Sequence, residues 1–238
     1  PYRGKHFQPT RRTASHRWAE AQGASFVEAG LWLRADMFAK SGETDWMDTV
    51  AREVNAVRGS VGFCDVSTLG KIDIQGPDAG ELLNRVYING FAKLAVGKAR
   101  YGMMLREDGF AFDDGTTARF AEDHFVMSTT TANAGPVMQH LEYCRQVLWP
   151  ELDVQIVSVT EQWAQYAVAG PNARKVLERL FAGAVDVSNE ALPFMGVKAF
   201  RWKGLPARIF RISFSGELAY EIAVPTRYGE ALDLGAVG

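Results

Sequence analysis

Two stretches of the chain follow one plan, and that repetition limits what it can fold into. Residues 71–86 (KIDIQGPDAGELLNRV) and 166–180 (YAVAGPNARKVLERL) each run from an extended segment through Gly-Pro into the opening of a helix. The alternation of KIDIQ reads as a strand, and Gly-Pro turns the chain because proline cannot continue a ladder. Asp78 and Asn172 then stand where a helix cap belongs, ahead of Leu82, Leu83 and Val86 in one copy and of ARKVLERLF in the other. Between the copies, ARYGMML and FAF flank the hairpin signal Asp108-Gly109, and HFVMSTTT supplies a third antiparallel candidate, giving a meander. After Pro193, VKAFRW, PARIFRISF and LAYEIAV read as three more strands. The expected class is α+β, with mixed and antiparallel sheets, flanking helices and internal pseudo-symmetry.

Around this repeat the chain divides into a lead-in over residues 1–45, with one short helix around Ser15 to Gln22, and a domain over 46–238. In WMDTVAREVNAV (46–57), Val50, Val54 and Val57 fall at helical spacing, with Asp48 and Arg52 four apart on a polar face. In TANAGPVMQHLEYCRQVLW (131–149), Val137, Leu141, Cys144 and Leu148 form a helical stripe that Pro150 stops. A weak final helix, RYGEALDLG, runs into GAVG, so packing partners are expected beyond Gly238 or in another chain. The chain starts at Pro1 rather than Met, as a trimmed or partial chain would.

Composition narrows the function classes. With 26 Lys and Arg against 28 Asp and Glu, the formal charge of −2 exerts no general pull on nucleic acid or an anionic membrane. No apolar run approaches the ~20 residues needed to cross a bilayer. Cys64 and Cys144 stand far apart and form no metal-ligand or redox motif, which points to a reducing, cytoplasmic setting. His6, His16, His124 and His140 show no HxxH or HExxH spacing, so no metal site is expected. SFSGE (213–217) matches a nucleophile elbow only loosely, and no GxGxxG or GxxxxGK[ST] occurs.

Three candidates remain for chemistry. Asp113-Asp114 ends a strand before Gly115; adjacent strand residues point to opposite faces, so one carboxylate at most enters a given pocket while the other faces away or caps a turn. Glu221 sits among Ala, Tyr, Ile and Val in a strand, so it faces solvent, an ion-pair partner or a bound group rich in N–H donors, such as a planar amino heterocycle. Tyr101 in KARYGMML is a core or interface residue or a ligand-cleft ring.

Taken together, VGFCDVSTLGKIDIQGPDAGELLNRV, LAVGKARYGMMLREDGFAFDD, YAVAGPNARKVLERL and FSGELAYEI resemble the aminomethyltransferase family of the glycine cleavage system. More narrowly, REDGFAFDDGTTARF, STTTANAGPVMQHLEYCRQVLWPELDVQ and VTEQWAQYAVAGP resemble the branch formed by the alpha subunits of heterotetrameric sarcosine oxidases. The resemblance implies the aminomethyltransferase-like folate-binding fold without its C-terminal barrel layer, and tetrahydrofolate bound in the middle of the domain. It places Asp114 near the folate nitrogen that takes up the one-carbon unit, Tyr101 beside it, and Glu221 on the pterin ring. Departures from the family pattern put Phe214 where the family has Tyr, Thr130 where an Asn often contacts the pterin, and Thr68-Leu69 where it has His-Met. Leu69 keeps an apolar pterin neighbour.

The same resemblance implies a relay. Sarcosine is oxidised at a flavin in a neighbouring beta subunit, and the resulting imine reaches folate here to give glycine and 5,10-methylenetetrahydrofolate. FAD, FMN and NAD are then expected elsewhere in the full complex, with smaller subunits as further partners. Two alternatives stay open from the sequence: a stand-alone aminomethyltransferase fed by a lipoyl carrier, and a noncatalytic scaffold domain of an oxidase complex.

Overall fold

The computed structural model describes residues 11–232. In chain order, β1 (Arg11–Arg12), α1 (His16–Ala21), β2 (Ala24–Ala29) and β3 (Trp32–Phe38) precede α2 (Trp46–Gly59). Then come β4 (Gly62–Asp65), β5 (Gly70–Gln75), α3 (Ala79–Val86), β6 (Lys98–Leu105), β7 (Ala111–Ala121), β8 (His124–Thr129) and α4 (Ala134–Tyr143), which continues as a π-helical turn over Cys144–Leu148. The rest is β9 (Gln155–Ser158), β10 (Trp163–Ala169), α5 (Ala173–Phe181), β11 (Val197–Trp202), β12 (Leu205–Phe210) and β13 (Ala219–Pro225). Among the described residues no helix is long and apolar enough to cross a membrane.

The chain forms two compact units. One takes in the chain up to Thr68, Glu161–Phe194 and the chain from Ala199; the other takes in Leu69–Thr160 and Met195–Lys198. Each carries a five-stranded sheet, ordered β6-β7-β8-β5-β9 in one and β11-β12-β13-β10-β4 in the other. The two orders correspond strand for strand: a three-strand meander, the strand that leads through Gly-Pro into a helix, and a short edge. The edges are exchanged along the chain. β4 comes just before β5 but pairs antiparallel with β10, and β9 comes just before β10 but pairs antiparallel with β5. This exchange makes the unit of β10 discontinuous in sequence, while the unit of β5 runs unbroken over Leu69–Thr160 and adds only Met195–Lys198. The α+β class and the repeat are as the sequence predicts, and neither sheet closes into a barrel among the described residues.

The repeat extends to backbone detail. Gly76 and Gly170 take φ of 137° and 123°, a region closed to side chains. A Cβ at Gly76 would stand 2.3 Å from the Asp153 carbonyl oxygen, and one at Gly170 2.4 Å from that of Val57. Asp78 and Asn172 follow with φ −97° each and ψ of 11° and 3°. Contrary to expectation, neither side chain caps its helix. A capping residue is normally extended; with ψ near zero these side chains are turned elsewhere, Asp78 Oδ2 accepting from Asp153 N at 2.8 Å and Asn172 Nδ2 donating to Ser60 Oγ at 3.3 Å.

In the unit of β5, Leu82, Leu83 and Val86 of α3 and Val137 and Leu141 of α4 pack with Ile72, Ile74, Phe125 and Met127. In the other, Leu177 and Phe181 of α5 pack with Tyr166, Val168, Ile209, Tyr220 and Ile222. Each such side chain contributes about 1.5–3 kcal/mol on burial. The α4 stripe is followed as far as Cys144, but Leu148 is exposed. The π turn, in which Trp149 N donates to Cys144 O, adds a residue and rotates Leu148 off the stripe.

Two further expectations are corrected. The lead-in contains α1, as expected, and three strands beyond it: β3 pairs antiparallel with β2 and parallel with β1. And α2 buries none of its valines fully: Val50 and Val57 are half-buried. Val54 is exposed and Thr49 is its buried residue. Glu43 explains this, because its carboxylate gathers Thr49 Oγ1 at 2.6 Å, Arg52 Nε at 2.5 Å and Lys40 N at 2.8 Å, while Arg52 also donates to Phe38 O. Arg52 thus binds Glu43 rather than Asp48, which takes Thr44 instead.

Candidate functional site

In the unit of β5, β6 and β7 pair with Tyr101 opposite Thr116, Met103 opposite Asp114 and Met104 opposite Asp113. Because side chains alternate along a strand, the two acids part company. Asp113 lies opposite Met104, which belongs to the core, and is 7% exposed. Its carboxylate accepts from Thr130 Oγ1 at 2.6 Å, Thr130 N at 3.2 Å and Asn133 Nδ2 at 3.2 Å. Burial pushes the Asp113 carboxyl up, against those three donors, and the charge of Asp114 adds to the rise.

Asp114 occupies the other face. Tyr101, diagonal to it across the ladder, donates its hydroxyl to Asp114 Oδ2 at 2.7 Å, and this bond, before burial, pushes the Tyr101 hydroxyl up. On β7 and β8 beside them, Ser128 Oγ donates to Thr116 O at 2.9 Å and accepts from Thr116 N. The backbone around the acid is therefore held by its own sheet, and Gly115 is needed there: a Cβ would stand 2.1 Å from Ser128 O. Leu69, half-buried just ahead of β5, accepts from Lys71 Nζ through its carbonyl.

In the unit of β10, the register sets Cys64, Ala167, Glu221 and Phe210 in one row across β4, β10, β13 and β12. Gln165, two residues along β10 on the same face, donates its Nε2 to Glu221 Oε2. Cys64, at the end of this row, is exposed. Phe214 lies on the loop between β12 and β13, fully exposed at 106%.

The structure brings Tyr101 to Asp114 and Thr130 to Asp113. It leaves Leu69 and Phe214 outside these side-chain hydrogen bonds, and it holds Glu221 with Gln165 in the other unit. Thr130 spends its hydroxyl and its backbone N–H on Asp113. Two residues escaped sequence reasoning, Asn133 and Gln165. Asn133 belongs to the TTTAN stretch and could have been weighed as a partner for the acid pair; a Gln inside an otherwise apolar strand was the available signal for Gln165. Among the described residues no group of three or more His, Cys, Asp or Glu is arranged to hold a metal. A carboxylate with a phenol on one sheet face can stabilise a cationic nitrogen or take its proton. A carboxylate backed by a primary amide is suited to a ligand rich in N–H donors.

A family model described as the GCVT N-terminal domain matches residues 15–233. Over 231 residues the chain is 58% identical to the sarcosine oxidase subunit alpha of Rhizobium meliloti (strain 1021), covering 96% of this chain and 23% of that protein. It is 54% identical to the sarcosine oxidase subunit alpha of Corynebacterium sp. (strain P-1), over 95% of this chain and again 23% of the relative. The chain thus spans about a quarter of the length of these relatives. Among solved structures, the glycine cleavage system aminomethyltransferase T from Bartonella henselae superposes with a TM-score of 0.79 at 26% identity, covering 96% of this chain and 57% of that one.

Proposed function

The chain belongs to the GCVT N-terminal domain family, and on that premise we propose that it is the folate-binding portion of a sarcosine oxidase alpha subunit. It transfers the one-carbon unit of oxidised sarcosine, as an imine, to tetrahydrofolate, giving glycine and 5,10-methylenetetrahydrofolate. The observation that carries the reading is the Tyr101–Asp114 hydrogen bond on the open face of β6 and β7. It supports the reading because a carboxylate oriented by a phenol is suited to stabilise a developing positive charge.

Tetrahydrofolate, when bound, supplies the amine nitrogens that take up the one-carbon unit. The residues fit such a group unit by unit: Asp114 in the unit of β5 and Glu221 in the unit of β10 each offer an acceptor of the kind that N–H donors of a heterocycle require. Asp114 would stabilise the cationic imine, take the proton given up by the attacking amine and return it to the glycine nitrogen as the bond between that nitrogen and the one-carbon unit breaks. Tyr101 holds the carboxylate in one orientation. Asp113, Thr130 and Asn133 fix the strand end behind it, and Glu221 accepts from the amino-bearing edge of the pterin. Thr130, engaged with Asp113, acts on the ligand through that strand end, while Leu69 and Phe214 supply apolar contact.

Oxidation of sarcosine belongs, on this reading, to a flavin-containing beta subunit, with further flavin and NAD sites elsewhere in the complex. The 58% identity to a sarcosine oxidase subunit alpha favours it over a self-contained aminomethyltransferase. Titration of the full-length polypeptide with tetrahydrofolate tests it: saturable binding of one equivalent per chain is expected, and a flat titration would reject folate binding.

A further inference from the structure

We propose that Arg174 and Arg211 form a binding site for a phosphate group on the α5 face of the β10 sheet. Tyr220 and Glu221 are neighbours on β13, so their side chains leave the sheet on opposite faces, and Tyr220 packs in the core with Leu177 of α5. From α5, Arg174 donates its Nε to the Tyr220 hydroxyl at 2.9 Å and its Nη2 to Asn189 Oδ1 at 2.5 Å. Arg211, just past the end of β12, donates its Nη1 to that same oxygen at 2.5 Å and to Leu192 O at 3.1 Å, and its guanidinium carbon lies 5.8 Å from the centre of the Tyr220 ring. Two cations from separate elements thus meet at one amide.

The amide oxygen is neutral, so it bonds both guanidiniums and balances neither charge. Among the described residues neither arginine joins an ion pair, not with Glu178 one turn along α5 from Arg174, nor with Glu190 beside Asn189, both of them exposed. Asp186, on the same loop, accepts from Ser188 N. α5 has no acid in its first turn, where the helix end favours an anion and disfavours Arg174. Arg211 Nε is buried without a hydrogen bond, a costly state for a donor on a charged group. Neutral donors would pin this loop as well; what two guanidiniums add is charge, and N–H groups to spare on Arg174 Nη1 and Arg211 Nη2. A phosphate presents oxygens in several directions, one set to each guanidinium, and so suits the pair better than a planar carboxylate.

Equilibrium dialysis of the full-length polypeptide against radiolabelled inorganic phosphate tests the assignment on wild type, Arg174→Gln and Asn189→Asp. Wild type is expected to bind saturably, and the difference from the variants isolates this site from any other in the longer chain. Arg174→Gln should weaken binding about tenfold, the effect of losing a hydrogen bond between charged groups. Asn189→Asp is isosteric and keeps an oxygen for both arginines, but it sets a carboxylate between the two cations and should weaken phosphate by about tenfold or more. Because it preserves the hydrogen bonds to the loop, it serves if Arg174→Gln fails to fold.

A charge-driven site should also weaken as sodium chloride is raised. Competition by glycerol phosphate separates the two sources of the group: displacement at lower concentration than unlabelled inorganic phosphate assigns the site to a phosphate ester, and displacement at higher concentration assigns it to the free ion. No bound phosphate in wild type, the same affinity in wild type and both variants, or an affinity indifferent to salt overturns the site.

Discussion

Tyr101 donates its hydroxyl to Asp114 across the β6–β7 ladder, while Asp113, the next residue back, is held on the opposite face by Thr130 and Asn133. One step along a strand thus separates an acid available to a ligand from an acid that belongs to the scaffold. If this division is right, the two positions respond differently to the same substitution.

Tyr101→Phe keeps the ring and removes the donor. Tyr101 is 48% exposed, so the bond is worth about 1 kcal/mol, and methylenetetrahydrofolate formation should fall about fivefold. The rate of sarcosine oxidation should be unchanged. Steady-state measurement of both products checks this; equal losses in the two would place Tyr101 elsewhere in the enzyme's work.

Asp113 carries a pH signature. Burial raises its folded-state pKa above the ordinary 3.8, so the folded protein holds the proton more tightly than the unfolded one. The resulting stabilisation is present below the unfolded value and is lost as pH rises through the folded one. Relative to Asp113→Asn, which cannot titrate there, wild type should therefore lose stability as pH climbs above 3.8. Chemical unfolding at successive pH values reads the difference, and a gap that grows in wild type's favour with pH would contradict it.

Glu43 predicts the opposite sign. Its hydrogen bonds to Arg52, Thr49 and Lys40 hold it at about 2, below the ordinary 4.5. Its contribution is present above 4.5 and lost as pH falls toward 2. The advantage of wild type over Glu43→Gln should accordingly shrink on acidification through that window, as thermal unfolding would show. α2 should loosen first, with faster amide exchange around Thr49.

Gly76→Ala and Gly170→Ala probe the repeat. Each places a Cβ within 2.4 Å of a carbonyl oxygen at a positive φ, and each should cost more than about 1 kcal/mol. Because the two turns are equivalent, the two losses should be similar. A tolerated alanine at either position, measured by urea unfolding, would show that the turn relaxes more easily than its geometry implies.

The course of the strands was legible because alternation and Gly-Pro punctuation are local signals. KIDIQ, ARYGMML, HFVMST and LAYEIAV all became strands, and the matching of the two Gly-Pro units extends to φ and ψ. The exchange of β4 and β9 between sheets was not legible, since pairing partners about 100 residues apart leave no mark in either segment. The polar clamp of α2 by Glu43 was missed because periodicity weighs valines and does not see one carboxylate gathering three donors. At the site, the splitting of Asp113 from Asp114 follows from strand alternation alone. Gln165 was overlooked because a lone amide in an apolar strand gains its meaning only from the diagonal neighbour that β13 supplies.

The central claim is that Asp114 acts on the one-carbon unit. Asp114→Asn in the complete enzyme, with sarcosine consumption, methylenetetrahydrofolate and free formaldehyde followed together, tests it most directly. The account predicts unchanged sarcosine oxidation, a fall of about 100-fold or more in the rate of methylenetetrahydrofolate formation, and formaldehyde released in its place. An unchanged partition between the two products would contradict it.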